Sequence, residues 1–152
     1  MAVQSLLPRA LATGKSEEAG RIVWAQLWLS SALNVVVTAL TYVTPTLFPQ
    51  TFTSDHGVIK LFQSVTPWAC LAQVGITYAQ TLDGIYIGRG NLKHYAGIMM
   101  FSTLACYIFF ACVPGLQGAW IGLAIYGALR AGVNLLALPS LLAGLKAPKV
   151  PK

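Results

Sequence analysis

Residues 95–113 read YAGIMMFSTLACYIFFACV, a stretch without a single charged side chain. A helix that crosses a bilayer needs about 20 mostly apolar residues, because its backbone polar groups must be hydrogen-bonded within the segment. This stretch therefore predicts a transmembrane helix. Three further stretches of similar character lie at about 22–48, 58–87 and 119–145. Together they predict an all-α, multi-pass membrane bundle with four transmembrane helices.

The overall composition also indicates a membrane protein. Of the 152 residues, 56% are hydrophobic and only 9% are charged, and the mean hydropathy is +0.66. Soluble domains carry about 25% charged residues. The net charge of +6 does not indicate nucleic-acid binding, because Lys and Arg lie mainly in short segments between apolar stretches. We therefore expect the lipid bilayer as a partner, and no nucleic acid.

Residue types that bind metals are scattered along the chain. Cys70, Cys106 and Cys112 lie within apolar stretches, and there is neither a CxxC motif nor a Cys/His cluster. His56 and His94 lie at the ends of different stretches. This pattern favours neither a zinc site nor a disulfide framework, and we expect no metal and no cofactor.

The basic residues predict how the chain is threaded. All Lys and Arg residues except Lys60 and Arg130 lie in residues 9–21, 89–94 and 146–152. Basic loops stay on the cytoplasmic side of a membrane, so these three segments are expected on the cytoplasmic or stromal side. The predicted organisation is the end of a preceding helix and a cytoplasmic loop in 1–21, a four-helix membrane part in 22–145 and a basic cytoplasmic tail in 146–152.

Asp83 is the only acidic residue between residues 57 and 145. A carboxylate inside a membrane span costs about 2.5–3.5 kcal/mol at mid-span, and such residues commonly handle protons, ions or substrates. The alternative is a helix-end carboxylate paired with Arg89. Arg130 is a further candidate partner, although it lies near mid-span whereas Asp83 is expected near the cytoplasmic end. The residues alone leave these alternatives open.

Polar residues recur at helical spacing in three of the four spans, so each set shares one helix face. The sets are Gln26, Ser30, Asn34 and Thr38; Gln73, Thr77, Gln80 and Asp83; and Tyr126, Arg130 and Asn134. In lipid, such a face is expected to point into the bundle or into a wet cavity. The alternative is that these side chains only join helices, at about 0.6 kcal/mol per hydrogen bond. Gly84 with Gly88, and Gly118 with Gly122, form small-xxx-small motifs that predict close helix packing.

Residues 83–93, DGIYIGRGNLK, resemble the end of the tenth helix and the following loop in the MATE (multidrug and toxic compound extrusion) family. The similarity is to its DinF-like branch, which includes plastid-envelope proteins of plants. Residues 4–15, 47–55 and 115–120 resemble, in the same order, the end of the eighth helix, the ninth-to-tenth connection and the start of the twelfth helix. The resemblance extends over about residues 4–135.

The resemblance implies that the four spans are helices 9–12 of a twelve-helix transporter built from two six-helix halves. The chain would then be a C-terminal fragment, with the missing N-terminal half of the same transporter as its partner. The implied function is a cation-coupled antiporter, driven by H⁺ or Na⁺, that exports small organic solutes or xenobiotics. For a plant or algal protein, the implied location is the plastid envelope.

The same resemblance suggests roles for particular residues. The implied substrate or ion site comprises Asp83, Gln80, Thr77 and Gln73, facing Tyr126, Arg130 and Asn134. Gly84, Gly88 and Arg89 would shape the loop after the tenth helix. A mid-membrane Arg130 would suit an anionic substrate, as associated with DinF-like plant members.

Two other interpretations were weighed. Asp-Gly followed by Arg is similar to the motif of membrane CDP-alcohol phosphotransferases, but no Asp or Glu follows Asp83. Since a two-metal phosphotransfer site requires several carboxylates, we predict that the protein is not an enzyme. The remaining alternative is a short four-helix membrane scaffold or oligomerising protein without transport activity of its own.

Overall fold

The computed structural model describes residues 2–51 and 53–146, and within these ranges its regular structure is helical. The helices are α1 (Ala2–Ala12), α2 (Ser16–Leu47), α3 (His56–Gly88), α4 (Leu92–Cys112) and α5 (Leu116–Lys146), with a short 3-10 turn at Pro49–Thr51. The predicted all-α bundle is confirmed, and the four predicted spans correspond to α2–α5. Residues 147–152 of the predicted tail lie outside the described residues, as does Phe52 of the 47–55 similarity.

Three of the described helices are long and apolar enough to cross a membrane, namely α2, α4 and the segment Leu116–Gly144 of α5. The fourth predicted span, α3, has 33 residues but fails this hydropathy criterion. The physical reason is its position, because α3 contacts α1, α2, α4 and α5. From Val65 onward, α3 is largely covered by these helices. A covered segment presents less surface to lipid and can carry more polar side chains.

Contacts between helices define their relative directions. α2 and α3 are antiparallel, since Ser31 bonds to Tyr78 at 2.9 Å and Gln63 donates to the Pro45 carbonyl at 3.4 Å. α3 and α5 are parallel and in register, because Gly75 lies against Gly127 and Arg89 bonds to the Leu141 carbonyl. These directions agree with four helices that alternate across a bilayer.

One end of the bundle contains its main apolar core. This end, called the α1 end, comprises α1, the start of α2 and the last turns of α3 and α5. Its core residues are Val3, Leu7, Ala10, Ala19, Val23, Leu82, Ile85, Tyr86, Leu138 and Leu141. The basic segments 9–21 and 89–93 therefore lie at the same end, as the charge pattern requires. The side of the membrane that this end faces stays a prediction.

α3 and α5 approach each other closely at Gly75 and Gly127, which lie outside both predicted small-xxx-small motifs. A Cβ on Gly75 would lie 2.8 Å from the Gly127 carbonyl carbon, and a Cβ on Gly127 would lie 2.7 Å from the Ile76 nitrogen. Real Cβ atoms do not approach backbone so closely, so both positions require glycine. The backbones of α3 and α5 are thus in direct contact at this crossing.

The two predicted glycine motifs serve other contacts. Gly84 and Gly88 face α1, where a Cβ on Gly88 would lie 3.2 Å from the Val3 carbonyl oxygen. Gly122 faces Phe110 of α4. The motifs do permit close packing, but neither of them forms the α3–α5 crossing.

Candidate functional site

The Asp83 carboxylate is held from α5 by two side chains one turn apart. The Arg130 guanidinium forms an ion pair with Asp83 Oδ2, and Asn134 Nδ2 donates to Asp83 Oδ1 at 3.0 Å. The ion-paired side chains are each only 8% exposed. Both carboxylate oxygens therefore have a donor from the neighbouring helix, and the charges of Asp83 and Arg130 compensate each other within the bundle.

Arg130 is also bonded within its own helix, to Tyr126, which in turn contacts α4. Its Nη1 donates to the Tyr126 hydroxyl, and its guanidinium carbon lies 5.0 Å from the centre of the Tyr126 ring. The Tyr126 hydroxyl in turn lies 3.8 Å from the sulfur of Met99. The predicted row of Tyr126, Arg130 and Asn134 thus forms one face of α5 that meets Asp83. We call these four residues the Asp83 cluster.

The structure distinguishes between the two candidate arginine partners. Asp83 is paired with Arg130, whereas Arg89 Nη1 donates to the Leu141 carbonyl at 2.9 Å. The contact between Gly75 and Gly127 explains why Arg130 lies close enough to Asp83 to pair with it. Because α3 and α5 run parallel from Gly75 and Gly127, Asp83 and Asn134 each follow about two turns later and become neighbours.

Two buried atoms of the Asp83 cluster have no hydrogen-bond partner among the described residues. They are Arg130 Nε and the side-chain oxygen of Asn134. Buried polar groups are nearly always paired, and an unpaired one costs about 1–3 kcal/mol. The cluster therefore keeps one donor and one acceptor available beside the ion pair.

Tyr86 and His94 extend the cluster and were not predicted as site residues. The Tyr86 hydroxyl donates to the Asn134 backbone carbonyl at 3.1 Å, and the rings of Tyr86 and His94 lie 4.4 Å apart. The sequence did contain a signal for Tyr86, because it lies three residues after Asp83 and so shares its helix face. Nothing in the spacing indicates the contact with His94, which comes from α4.

The other predicted residues of α3 lie apart from the Asp83 cluster. Gln73 Nε2 donates to Thr77 Oγ1 at 3.2 Å, and both side chains are partly exposed. Gln80 is exposed on the described bundle. The structure therefore places the predicted polar line of α3 in two environments, with only its last member, Asp83, buried against α5.

A second polar cluster joins α2 to α3. Thr81 Oγ1 donates to Ser30 Oγ at 2.9 Å, and Gln26 Nε2 donates to the same hydroxyl at 3.1 Å. Ser30 and Thr81 are buried. The structure thus shows Ser30 joining helices, which was the alternative interpretation of the polar line of α2. Thr81 was missed although it lies four residues after Thr77, because the predicted line was continued through Gln80 and Asp83 instead.

An open groove of about 380 Å³ lies between α2 and α3. It is mostly apolar and is lined by Ser31, Asn34, Val35, Thr38, Ala39, Tyr42, Cys70, Val74 and Tyr78. Small-molecule sites have volumes of about 300–1,000 Å³, so the groove has the size of a site for a small organic molecule. Within the described ranges, no three His, Cys, Asp or Glu side chains come together as metal ligands.

The fold is a helical membrane bundle in which a buried ion pair joins α3 and α5. The model of the MatE family matches residues 1–113, which is most of the chain. The chain belongs to the MATE family.

Curated relatives agree with this assignment. Protein DETOXIFICATION 44, chloroplastic, of Arabidopsis thaliana is 29% identical over 133 residues, covering 86% of this chain and 26% of that protein. Protein DETOXIFICATION 42 of the same plant is 26% identical over 137 residues, covering 88% of this chain and 27% of that protein. An uncharacterized transporter of Schizosaccharomyces pombe is 25% identical over 113 residues, covering 70% of this chain and 21% of that protein. No solved structure matches the chain.

The chain spans about a quarter of the length of these relatives. The family model and these relatives confirm the resemblance to the MATE family.

Proposed function

We propose that this chain forms part of a cation-coupled antiporter that exports small organic solutes or xenobiotics across a membrane. The family match and the relatives named as detoxification proteins or as a transporter support this function. Because the chain spans about a quarter of those relatives, it is proposed to act with further helices of the same transporter. The observation that carries the proposal is the buried pairing of Asp83 with Arg130 between α3 and α5.

Asp83 is the proposed cation-responsive group. In the structure, its negative charge holds Arg130 and Asn134 of α5. Neutralising the carboxylate removes the partner of a buried guanidinium, which is unfavourable by about 3–5 kcal/mol when nothing replaces it. A cation that neutralises Asp83 therefore biases the packing of α3 against α5. Alternating access requires such a difference between two conformations.

The solute is proposed to contact the more exposed polar residues. Gln73, Thr77 and Gln80 lie on α3 outside the buried cluster, where hydrogen-bonding side chains remain accessible. Arg130 has an unpaired Nε, which suits an anionic solute once Asp83 is neutral. The name of the chloroplastic relative supports the plastid envelope as the location for a plant or algal protein.

A chimera tests this function. The matching 133-residue segment of DETOXIFICATION 44 is replaced by this chain, and vesicles containing the chimera are assayed for pH-gradient-driven movement of a fluorescent organic cation and a radiolabelled organic acid. We expect transport, and we expect Asp83→Asn to remove its dependence on the gradient. Asp55→Asn is the matched control, because Asp55 is an exposed acid that caps α3.

Three results of this experiment are informative. If Asp83→Asn and Asp55→Asn behave alike, the coupling role of Asp83 is wrong. If the assembled chimera moves no solute whereas intact DETOXIFICATION 44 does, the scaffold alternative is favoured. If gradient-dependent transport is lost only with Asp83→Asn, the antiporter proposal is supported.

A further inference from the structure

The Asp83 cluster resembles a cation site in its oxygen atoms but already contains a cation. Asp83 supplies two carboxylate oxygens, Asn134 an unpaired side-chain oxygen and Tyr126 a hydroxyl. Hard metal cations bind through several oxygen ligands of this kind. In this chain, however, the positive charge beside the carboxylate is the guanidinium of Arg130, which is 7% exposed.

We propose that Arg130 is a built-in counter-cation that keeps Na⁺ away from Asp83, so that a proton is the only coupling cation this carboxyl group accepts. Arg130 is thereby a specificity-determining residue for the coupling ion. This inference rests on the proposed function only in taking Asp83 as the cation-responsive acid.

The first argument is electrostatic. A metal ion in contact with Asp83 would lie within about 4 Å of the guanidinium, and at an effective dielectric constant of about 20 this repulsion weakens binding roughly a thousandfold. No second acid offsets the repulsion, since the other acidic residues of the chain are Glu17, Glu18 and Asp55. With one acid and one arginine, the site is neutral before any ion arrives.

The second argument is the occupation of the ligand atoms. Oδ2 of Asp83 is paired with Arg130, and Oδ1 accepts from Asn134 at 3.0 Å. The Asn134 backbone oxygen is likewise occupied, because it accepts from Tyr86. The side-chain oxygen of Asn134 is unpaired, but a metal ion must displace Arg130 or the Asn134 amide to gain a carboxylate oxygen of Asp83.

A proton displaces one donor only, Arg130 at Oδ2 of Asp83. It bonds to one carboxyl oxygen, needs no coordination shell and leaves the other oxygen to accept from Asn134. Arg130 retains its hydrogen bond to the Tyr126 hydroxyl. Protonation raises the charge of the site by one unit, as Na⁺ would, but the proton is held by a covalent O–H bond, whereas Na⁺ depends on the oxygens that Arg130 and Asn134 occupy.

The titratable and charged groups around the pair come from three helices. α5 supplies Arg130 and Tyr126, α3 supplies Tyr86 next to Asn134, and α4 supplies His94, whose ring stacks on Tyr86. Among the ion pairs between described residues, Asp83 takes part in one, with Arg130. Asp83 and Arg130 are thus the charged groups in direct contact, and His94, whose buried Nε2 has no hydrogen-bond partner among the described residues, lies behind Tyr86.

Sodium binding to the purified full chain in lipid nanodiscs tests the inference, with choline replacing Na⁺ at constant ionic strength. We expect no saturable binding of radiolabelled Na⁺ to the natural chain. Arg130→Gln should create a site with at least a hundredfold higher affinity, and Asp83→Asn combined with Arg130→Gln should abolish it. Arg130→Lys is the charge-preserving control and should bind no Na⁺.

Two findings would overturn the inference. One is saturable Na⁺ binding by the natural chain that disappears with Asp83→Asn. The other is a folded Arg130→Gln variant that binds no Na⁺. If Arg130→Gln folds in Na⁺ but not in choline, the inference is supported.

A further measurement serves if Arg130→Gln folds in neither salt. The thermal unfolding midpoints of the natural chain and of Asp83→Asn are then compared in Na⁺ and in choline. A Na⁺-dependent increase restricted to the natural chain overturns the inference, and equal midpoints in both salts support it. These binding tests involve no transport, so an inert chimera contradicts the proposed function without affecting them. Conversely, Na⁺ binding at Asp83 contradicts only the inference.

Discussion

The two ends of the bundle are built differently. At the α1 end, Leu7, Leu82 and Ile85 are fully buried, and the Asp83 cluster lies beside them. At the far end, which comprises the end of α2, the start of α3, the end of α4 and the start of α5, apolar side chains are exposed. Leu47 is 65% exposed and Tyr107 is 71% exposed. The main apolar core therefore lies at the α1 end, whereas few described apolar side chains are buried at the far end. Exposed apolar side chains that face lipid or further helices occur along the whole bundle, including Leu136 at 85% exposed.

The largest expected effect comes from unpairing the buried charges of the α1 end. Asp83→Asn leaves Arg130 buried without its counter-charge, and we expect a loss of about 3–5 kcal/mol in the free energy of unfolding. Asp83→Asn combined with Arg130→Gln should be less destabilised than Asp83→Asn alone, because no unpaired charge remains. Reversible unfolding in mixed micelles measures these differences, with Asp55→Asn as the control. Additive effects of the two substitutions would contradict the pairing.

The next effect concerns the crossing that aligns α3 with α5. Gly75→Leu places a side chain against the Gly127 backbone, and overpacking of this kind is destabilising by about 3 kcal/mol. Gly132→Leu is the matched control, because a Cβ at this helical position of α5 has no neighbour within 4 Å. Thermal unfolding followed by circular dichroism compares the two variants. Equal midpoints would show that the helices do not meet at Gly75.

A smaller effect is expected from a single hydrogen bond at the α1 end. Tyr86→Phe removes the donor to the Asn134 carbonyl while keeping the ring against His94. Interhelical hydrogen bonds in membranes contribute about 0.6 kcal/mol, so unfolding should become easier by about that amount. The same micelle assay applies. Tyr95→Phe is the control, and an equal change in both variants would argue against the bond.

The smallest effect is expected at the far end. Tyr107→Leu should change the free energy of unfolding of this chain by less than about 0.5 kcal/mol, because exposed substitutions away from specific contacts are nearly neutral. Within the DETOXIFICATION 44 chimera, the same substitution distinguishes lipid from protein as the neighbour. A much larger effect there would show that another helix covers this surface.

The sequence predicted the helices well because their signal is local. An apolar stretch such as 95–113 specifies a membrane helix almost by itself, and α4 is found at Leu92–Cys112. The face of α5 that carries Tyr126, Arg130 and Asn134 was equally predictable, since helical spacing alone places these residues in a row. Both predictions required only the geometry of one helix.

Contacts between helices were harder to predict, because they depend on register and rotation. Spacing could not decide whether Asp83 pairs with Arg89 or Arg130, and it did not identify the crossing at Gly75 and Gly127. Gln80 shares the spacing of Asp83 but is exposed, since α5 covers only part of the circumference of α3. Thr81 also continues the spacing of Gln73 and Thr77, but its burial comes from its partner Ser30 on α2, which spacing along α3 does not indicate.

The bond from Arg89 to the Leu141 carbonyl has a mechanical consequence. Arg89 directly follows α3, whereas Leu141 lies in the last turns of α5, close to Gly144, where any added side chain would meet the guanidinium. The Arg89 side chain thus fastens the turn after α3 to the end of α5. If α3 or α5 moves at this end of the bundle, the other helix must move with it, or the hydrogen bond between Arg89 and the Leu141 carbonyl must break.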